Sequence, residues 1–254
     1  MEKTLQDEEK HLAISRQKLG PTAQLVSSTE RLYSFLGEVI DAISAPEDLH
    51  EMVLSVARCG LACSFRFVMA INSAFRGHLS EAIASTRGAI EQCGFAARIR
   101  RHPHLARVWL DAGLDEEHYE KYRTKFGPSK LFPADNVVLT ELYSRYDLCS
   151  KLSHPSIYSV GGQFKPMMDQ GVPTLTFEFF DSKSDDEKEP AATLLWVVDT
   201  HYGIIKVLLS TLEDLSGFSD RTRDEELAKF QAHLDYEKKK WEPILLKTEK
   251  PHGA

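Results

Sequence analysis

Long apolar runs are missing from this 254-residue chain. No run is longer than the five residues of Leu194-Leu195-Trp196-Val197-Val198, far short of the ~18 that a membrane-spanning helix needs, so no membrane partner is expected. Cysteine is scarce: Cys59, Cys63, Cys93 and Cys149 are the only four, and no two form a C-x-x-C pair. Without paired spacing a zinc site has no support, and the apolar, helix-like surroundings read as those of buried free thiols. Residues 1–20 carry charges of both signs and no apolar stretch with a small-residue cleavage site, so a secretory leader is not expected. Free thiols without an export signal point to a reducing, cytoplasmic setting. There is no G-x-S-x-G elbow and no H-E-x-x-H pair, and Gly161-Gly162 lacks the flanking strand–helix pattern and following lysine of a phosphate loop. Neither a metal nor a cofactor is therefore expected. Basic charge is in deficit, 31 Lys and Arg against 38 Asp and Glu for a net charge of −7. That excludes a general binder of nucleic acid or anionic membrane but leaves room for a local basic patch.

What is present is helical periodicity. Between Gln24 and Ile43, apolar residues recur at Leu25, Leu32, Phe35/Leu36, Val39 and Ile43. Ser44 with Glu47 reads as a capping box opening a helix to about Ala74, striped by Val53, Val56/Ala57, Gly60, Ser64, Phe67/Val68, Ile71 and Phe75. Leu79 to Ala97, Leu105 to Leu110, a helix capped by Asp115 and one capped by Asp135 follow. Turn signals come after Pro155, and Thr174 to Phe180 alternates as a strand does. Thr193 to Leu215 and a helix opened by Thr222 and Glu225 close the chain, the latter with Lys238-Lys239-Lys240 facing water. The expected architecture is mainly α: an antiparallel helical bundle with a small β-hairpin or flap insertion. It divides into a polar arm or helix (1–20), a bundle core (21–157), the flap with an acidic linker (158–190) and two completing helices (191–254).

Two constellations could carry chemistry. Arg87 and Glu91 lie four apart on the Leu79–Ala97 helix, and Arg87 is only ~40° round from Ile83, near the apolar stripe. They read either as a buried structural ion pair or as a charged site facing the interior. His154 ends the helix that carries Tyr143 and Asp147 on nearly its own face, with Arg145 on the opposite one. It reads as a capping histidine or, protonated by the helix dipole, as a general acid. Arg98, Arg100 and Arg101, with His102, His104 and Arg107, form a basic cluster. Either they oppose a helix C-terminus or they hold phosphate. His201 sits on a fully apolar face and reads as a core histidine bonded to a carbonyl, or as a residue facing the same interior as Arg87.

Together Arg87-x-x-x-Glu91, the His-Pro-His-Leu-Ala-Arg-Val-Trp segment at 102–109, and Tyr143 leading into Leu152-Ser153-His154-Pro155-Ser156 resemble the HEPN-like helical families of uncharacterised bacterial proteins. The resemblance covers roughly 79–157. It implies a helical bundle, usually a homodimer, and in many members a ribonuclease of toxin, stress or anti-phage systems. The family's arginine lies four to six residues before its histidine. Here Arg145 lies nine before His154 and position 149 is Cys149, while Arg98 and His104 are interrupted by Pro103. The residues that carry over are Arg87, Glu91 and His154, with Tyr143 and Ser153 beside them. The expectation is a protein that binds RNA or a small anionic, nucleotide-like ligand there, with His154 protonating a leaving oxygen if it cleaves. The alternative is a non-catalytic interaction protein in which these polar residues are buried structural pairs.

Overall fold

The computed structural model describes residues 2–43, 47–133, 136–153, 164–169, 172–177, 188–216 and 220–245. The protein is mainly α. Its long helices are α1 (Glu2–Lys18), α2 (Gly20–Asp41), α3 (His50–Phe75), α4 (Leu79–Arg101), α8 (Val137–Ser153), α9 (Lys188–Ser216) and α10 (Asp220–Leu245). Three short ones, α5 (Leu105–Leu110), α6 (Glu116–Lys125) and α7 (Pro128–Leu131), link α4 to α8. Strands β1 (Phe164–Asp169) and β2 (Val172–Phe177) pair antiparallel, with Phe164 opposite Phe177 and Asp169 opposite Val172.

Local signals place most of the ends, with corrections. Gly20-Pro21 starts α2 instead of merely closing the arm, because proline suits the first helical turn, where its missing N–H is not needed. Residues 44–46 lie outside the described residues. Glu47–Leu49 form a short 3-10 turn before α3 starts at His50, so Glu47 precedes that helix. Asp115 caps α6 as expected, its Oδ1 accepting the His118 N–H at 2.9 Å. Asp135 is outside the described residues, and Asn136 supplies the bond at the head of α8, accepting from Leu139 N at 2.9 Å. The last helix starts at Asp220, ahead of the Thr222 box.

Gly77, at φ 82°, turns the chain between α3 and α4. The fold-back sets Cys63 Sγ 3.3 Å from Ala89 O and Arg66 against Gly88. The apolar helix α9 packs against α2, α3, α4, α8 and α10, and Leu194, Val197, Val198, Ile204, Ile205 and Leu208 on it are wholly buried. By length and composition two helices among the described residues are apolar enough to cross a membrane, which the count of unbroken apolar residues missed: Glu47–Phe75 and Pro190–Leu212. In the second, 67% of the apolar window is buried inside the protein, as suits a core helix; in the first only 44% is.

Two glycines of α4 give a controlled comparison. A Cβ on Gly94 would stand 3.0 Å from Leu131 Cβ and 3.2 Å from two ring carbons of Phe132. A Cβ on Gly88 would meet only the flexible end of Arg66, 3.1 Å from its Nε. Gly94→Ala is expected to cost about 1–3 kcal/mol through overpacking, outweighing the helix-propensity gain. Gly88→Ala is expected to be neutral or to stabilise by up to ~1 kcal/mol. Urea denaturation of the two variants side by side checks the sign difference.

Candidate functional site

α4 and α8 bring Arg87 to Tyr146. The guanidinium Nη2 donates to the Tyr146 hydroxyl at 3.2 Å, and its Cζ lies 5.1 Å from the ring centroid. That hydroxyl bond raises the Arg87 pKa, burial opposes it, and the charges of Tyr146, Glu91 and Cys149 add to the rise. Glu91 thus acts on the guanidinium through space. The two residues close no ion pair among the described contacts, which corrects the reading of a structural Arg87–Glu91 bridge. The physical reason is that the guanidinium turns across to α8 and an aromatic face instead of along its own helix. Its Nε is buried without a hydrogen-bond partner.

Tyr146 is one member of an aromatic group. Tyr143 stacks on it at 6.5 Å and 16°, and Phe132 packs on both, at 5.5 Å from Tyr143 and 5.7 Å from Tyr146. Tyr143 is 42% exposed, a large aromatic face open to solvent one ring away from the guanidinium. Cys149 is buried, and burial pushes its thiol up to about 12, so at neutral pH it is a protonated filler and no nucleophile. His154 lies outside the described residues, as does the side chain of Ser153, so the proposed acid has no place in the described geometry.

The basic cluster is largely absorbed by the fold. Arg98 donates from Nε to Lys125 O at 2.7 Å and from Nη1 to Lys130 O at 3.2 Å, and lies over the Phe126 ring. Arg100 Nε donates to Thr211 O at 2.9 Å, tying α4 to α9. These bonds brace α6, α7 and α9 onto the end of α4, and they account for both arginines without a ligand. Arg101 stays exposed beside a cavity of about 260 Å³ lined by Ala97, Ser129, Lys130, Pro133 and Leu139 among others. The His102 pKa is lowered by burial first, then by Arg98, His104 and Arg101, which disfavours a third cation for phosphate there.

Two polar clusters were missed or misplaced by reading spacing alone. Arg145 is the hub of the first. Its Nη2 lies 2.7 Å from Asp199 Oδ2 and 3.0 Å from Glu141 Oε1, and its Nη1 donates to Thr200 Oγ1 at 2.8 Å. Lys238 Nζ holds the other Asp199 oxygen at 2.6 Å, so part of the lysine run on α10 turns toward α9 and does not simply face water. Burial pushes the Asp199 carboxyl up, but the bonds from Lys238 and Arg145 overcome it and leave the pKa below the ordinary value. Asp199 lines two cavities, one of about 570 Å³ between α9 and α10 and one of about 160 Å³ beside Arg145.

The second cluster is His201, wholly buried and 4.9 Å from the Phe67 ring. It bonds no carbonyl. Its Nδ1 lies 2.6 Å from the Tyr33 hydroxyl, and its Nε2 has no partner. Cys59, Cys63 and Cys93 are buried and free, and no group of His, Cys, Asp or Glu among the described residues could hold a metal ion. Burial pushes the Cys59 thiol up to about 12 and raises Cys63 and Cys93 as well, so these thiols are unreactive.

No family model matches this chain, and neither a curated protein nor a solved structure is detectably similar to it. What stands is a mainly α protein with an arginine–aromatic surface on α4 and α8.

Proposed function

We propose that this is a HEPN-like antiparallel helical bundle that binds a planar anionic ligand of the nucleotide class, free or as a base of single-stranded RNA, on the α4–α8 face. One observation carries the reading: a solvent-open Tyr143 ring stacked on Tyr146, with the Arg87 guanidinium over the same Tyr146 ring. An aromatic platform accepts any base by stacking, and a guanidinium beside it accepts phosphate charge. Binding is favoured over chemistry because Cys149, near enough for the Arg87 charge to act on it, is held protonated by burial. A cytoplasmic, bacterial stress or defence setting accords with the free thiols and with the resemblance.

Equilibrium titration with AMP and with a short oligoadenylate at low salt tests this. Tyr143→Ala is expected to weaken binding by roughly five- to 150-fold, the ~1–3 kcal/mol of a lost base stack, and to leave the melting temperature nearly unchanged because the ring is half out of the fold. A stronger response to the oligoadenylate than to AMP would assign the site to RNA. Absence of binding to both ligands, or equal affinities for the two proteins, would overturn the proposal.

A second reading is favoured by the bond Arg87 already makes to Tyr146: the pair braces α4 against α8 in a non-catalytic interaction protein. In that case Arg87→Ala destabilises the fold while Tyr143→Ala changes no affinity.

A further inference from the structure

Helix α3 has two apolar faces. The inner one, through Met52, Val56, Cys59, Cys63, Phe67, Ala70 and Ala74, is buried against the other helices. The outer one carries Leu54 at 49% exposure, Leu61 at 67%, Phe65 at 63%, Val68 at 43% and Met69 at 44%. Positions 54, 58, 61, 65, 68 and 72 follow each other at alternating steps of four and three, which is the 3.5-residue seam of a coiled coil and not scattered surface apolarity. Arg58 and Asn72 are its polar members, and both are exposed.

We propose that this seam is the interface of a two-fold homodimer in which α3 of one copy lies antiparallel on α3 of a second. The inference is independent of the ligand reading, which concerns the α4–α8 face. Three observations select a second copy as the occupant. A seam at this spacing fits another helix with the same spacing. Among the described residues the remaining exposed large hydrophobics, Leu114, Tyr119, Val137, Tyr143, Leu148 and Tyr236, are spread over four other regions and form no matching stripe, so the only complement to this face is itself. The area also suffices. With side chains of about 200 Å² each, the five exposed residues offer roughly 500 Å² of apolar surface, about the 65% apolar share of an ~800 Å² face in a homodimer.

Charge sets the direction. A parallel pairing would put Arg58 against Arg58 in the seam, a like-charge contact. An antiparallel pairing centred beside Cys63 sets Leu61 of one copy against Phe65 of the other, Arg58 against Val68, and Leu54 against Asn72. Each Arg58 stem then covers apolar surface while its guanidinium reaches water.

Sedimentation and light scattering of the full chain should give twice the 28.7 kDa chain mass at micromolar concentration, and the single-chain mass for Leu61→Glu with helical content unchanged. A wild-type protein that stays monomeric, or a Leu61→Glu protein that stays dimeric, would overturn the proposal. Cysteine pairing reads the direction. Leu54→Cys mixed with Asn72→Cys should give an oxidised cross-linked dimer. Leu54→Cys alone should not, because the antiparallel seam holds the two copies of that position about 27 Å apart along the axis. The native thiols are buried and do not compete. Cross-linking of Leu54→Cys with itself alone would overturn the antiparallel arrangement. Cosedimentation of a monomeric wild type with phospholipid vesicles, lost in Leu61→Glu, would give the face to a bilayer and overturn the dimer.

Discussion

Lowering the pH from 7.5 to 4.5 is expected to cost this protein about 2–3 kcal/mol of folding stability through His201 alone. The imidazole is wholly buried, and burial drives its pKa down to about 3 from an ordinary value near 6.5. Between those two values the unfolded chain binds a proton that the folded chain does not. Stability from this source is therefore complete above about pH 6.5, falls as the pH drops, and stops falling near pH 3, where the full loss is roughly 4–5 kcal/mol. The surroundings show why the proton is refused. Phe67 stands edge-on at 4.9 Å, and the hydrogen-bond partner among the described residues, Tyr33, is itself a donor whose pKa is raised by burial and by Cys63 and Cys93. A neutral ring and a phenol bring two donors to one 2.6 Å contact, so one buried donor is already unmet, and an imidazolium would add a second. Chemical denaturation at pH 7.5, 5.5 and 4.5 checks this against the double variant Tyr33→Phe/His201→Leu. Replacing both partners by apolar groups removes the titration without leaving one stranded. The double variant should keep a shallower pH slope over this window, and equal slopes for the two proteins would show that His201 is not the sensor.

That histidine illustrates what a linear reading can and cannot reach. Its place on a fully apolar face of α9 follows from helical spacing, and so does its being a core residue. Its partner does not, because Tyr33 lies 168 residues away and the choice of hydroxyl over carbonyl is made by packing. Helices and several caps were legible for the same local reason: a 3.6-residue stripe or an Asp before an acidic first turn acts over four residues. α3 was legible only in part, since one apolar stripe was expected where the helix has two, and Val68, assigned inward, is 43% exposed. Arg145 falls on the opposite face of α8 from the position of His154, so spacing within that helix gives it no role. What decides its role is the carboxylate of Asp199 on another helix, which no spacing within α8 reports. In Arg87 the position near the apolar stripe was readable, whereas the turn toward Tyr146, 59 residues away, was not.

Among single substitutions, Asp199→Ala carries the largest expected cost at neutral pH. Asp199→Ala removes the one carboxylate shared by Arg145 and Lys238 and leaves two cations facing each other where α8, α9 and α10 meet. Removing one partner of a fully buried pair costs ~3–5 kcal/mol. Here the Arg145 and Asp199 side chains are 19% exposed but Lys238 is 41% exposed and can swing into water, so roughly 2–4 kcal/mol is expected. Arg145→Met should cost less than Asp199→Ala. It leaves Asp199 paired with Lys238, and Met fills the space of the stem. The double variant Arg145→Met/Asp199→Ala should recover part of the loss, because the only charges it leaves unpaired are the solvent-reaching Lys238 and the exposed Glu141. Urea denaturation of the three proteins at pH 7 closes the cycle; strict additivity of the two single effects would mean that Arg145 and Asp199 are not coupled. The pH dependence separates this network from His201. The Asp199 pKa is depressed in the folded state, so its contribution is complete above the ordinary carboxylate value near 4 and is lost as the pH falls through the lower folded value. Acid unfolding should accordingly proceed in two stages, the imidazole weakening the core between about pH 6.5 and 3 and the carboxylate releasing α8 and α10 from α9 only below about pH 4, with Asp199→Ala abolishing the second stage and not the first.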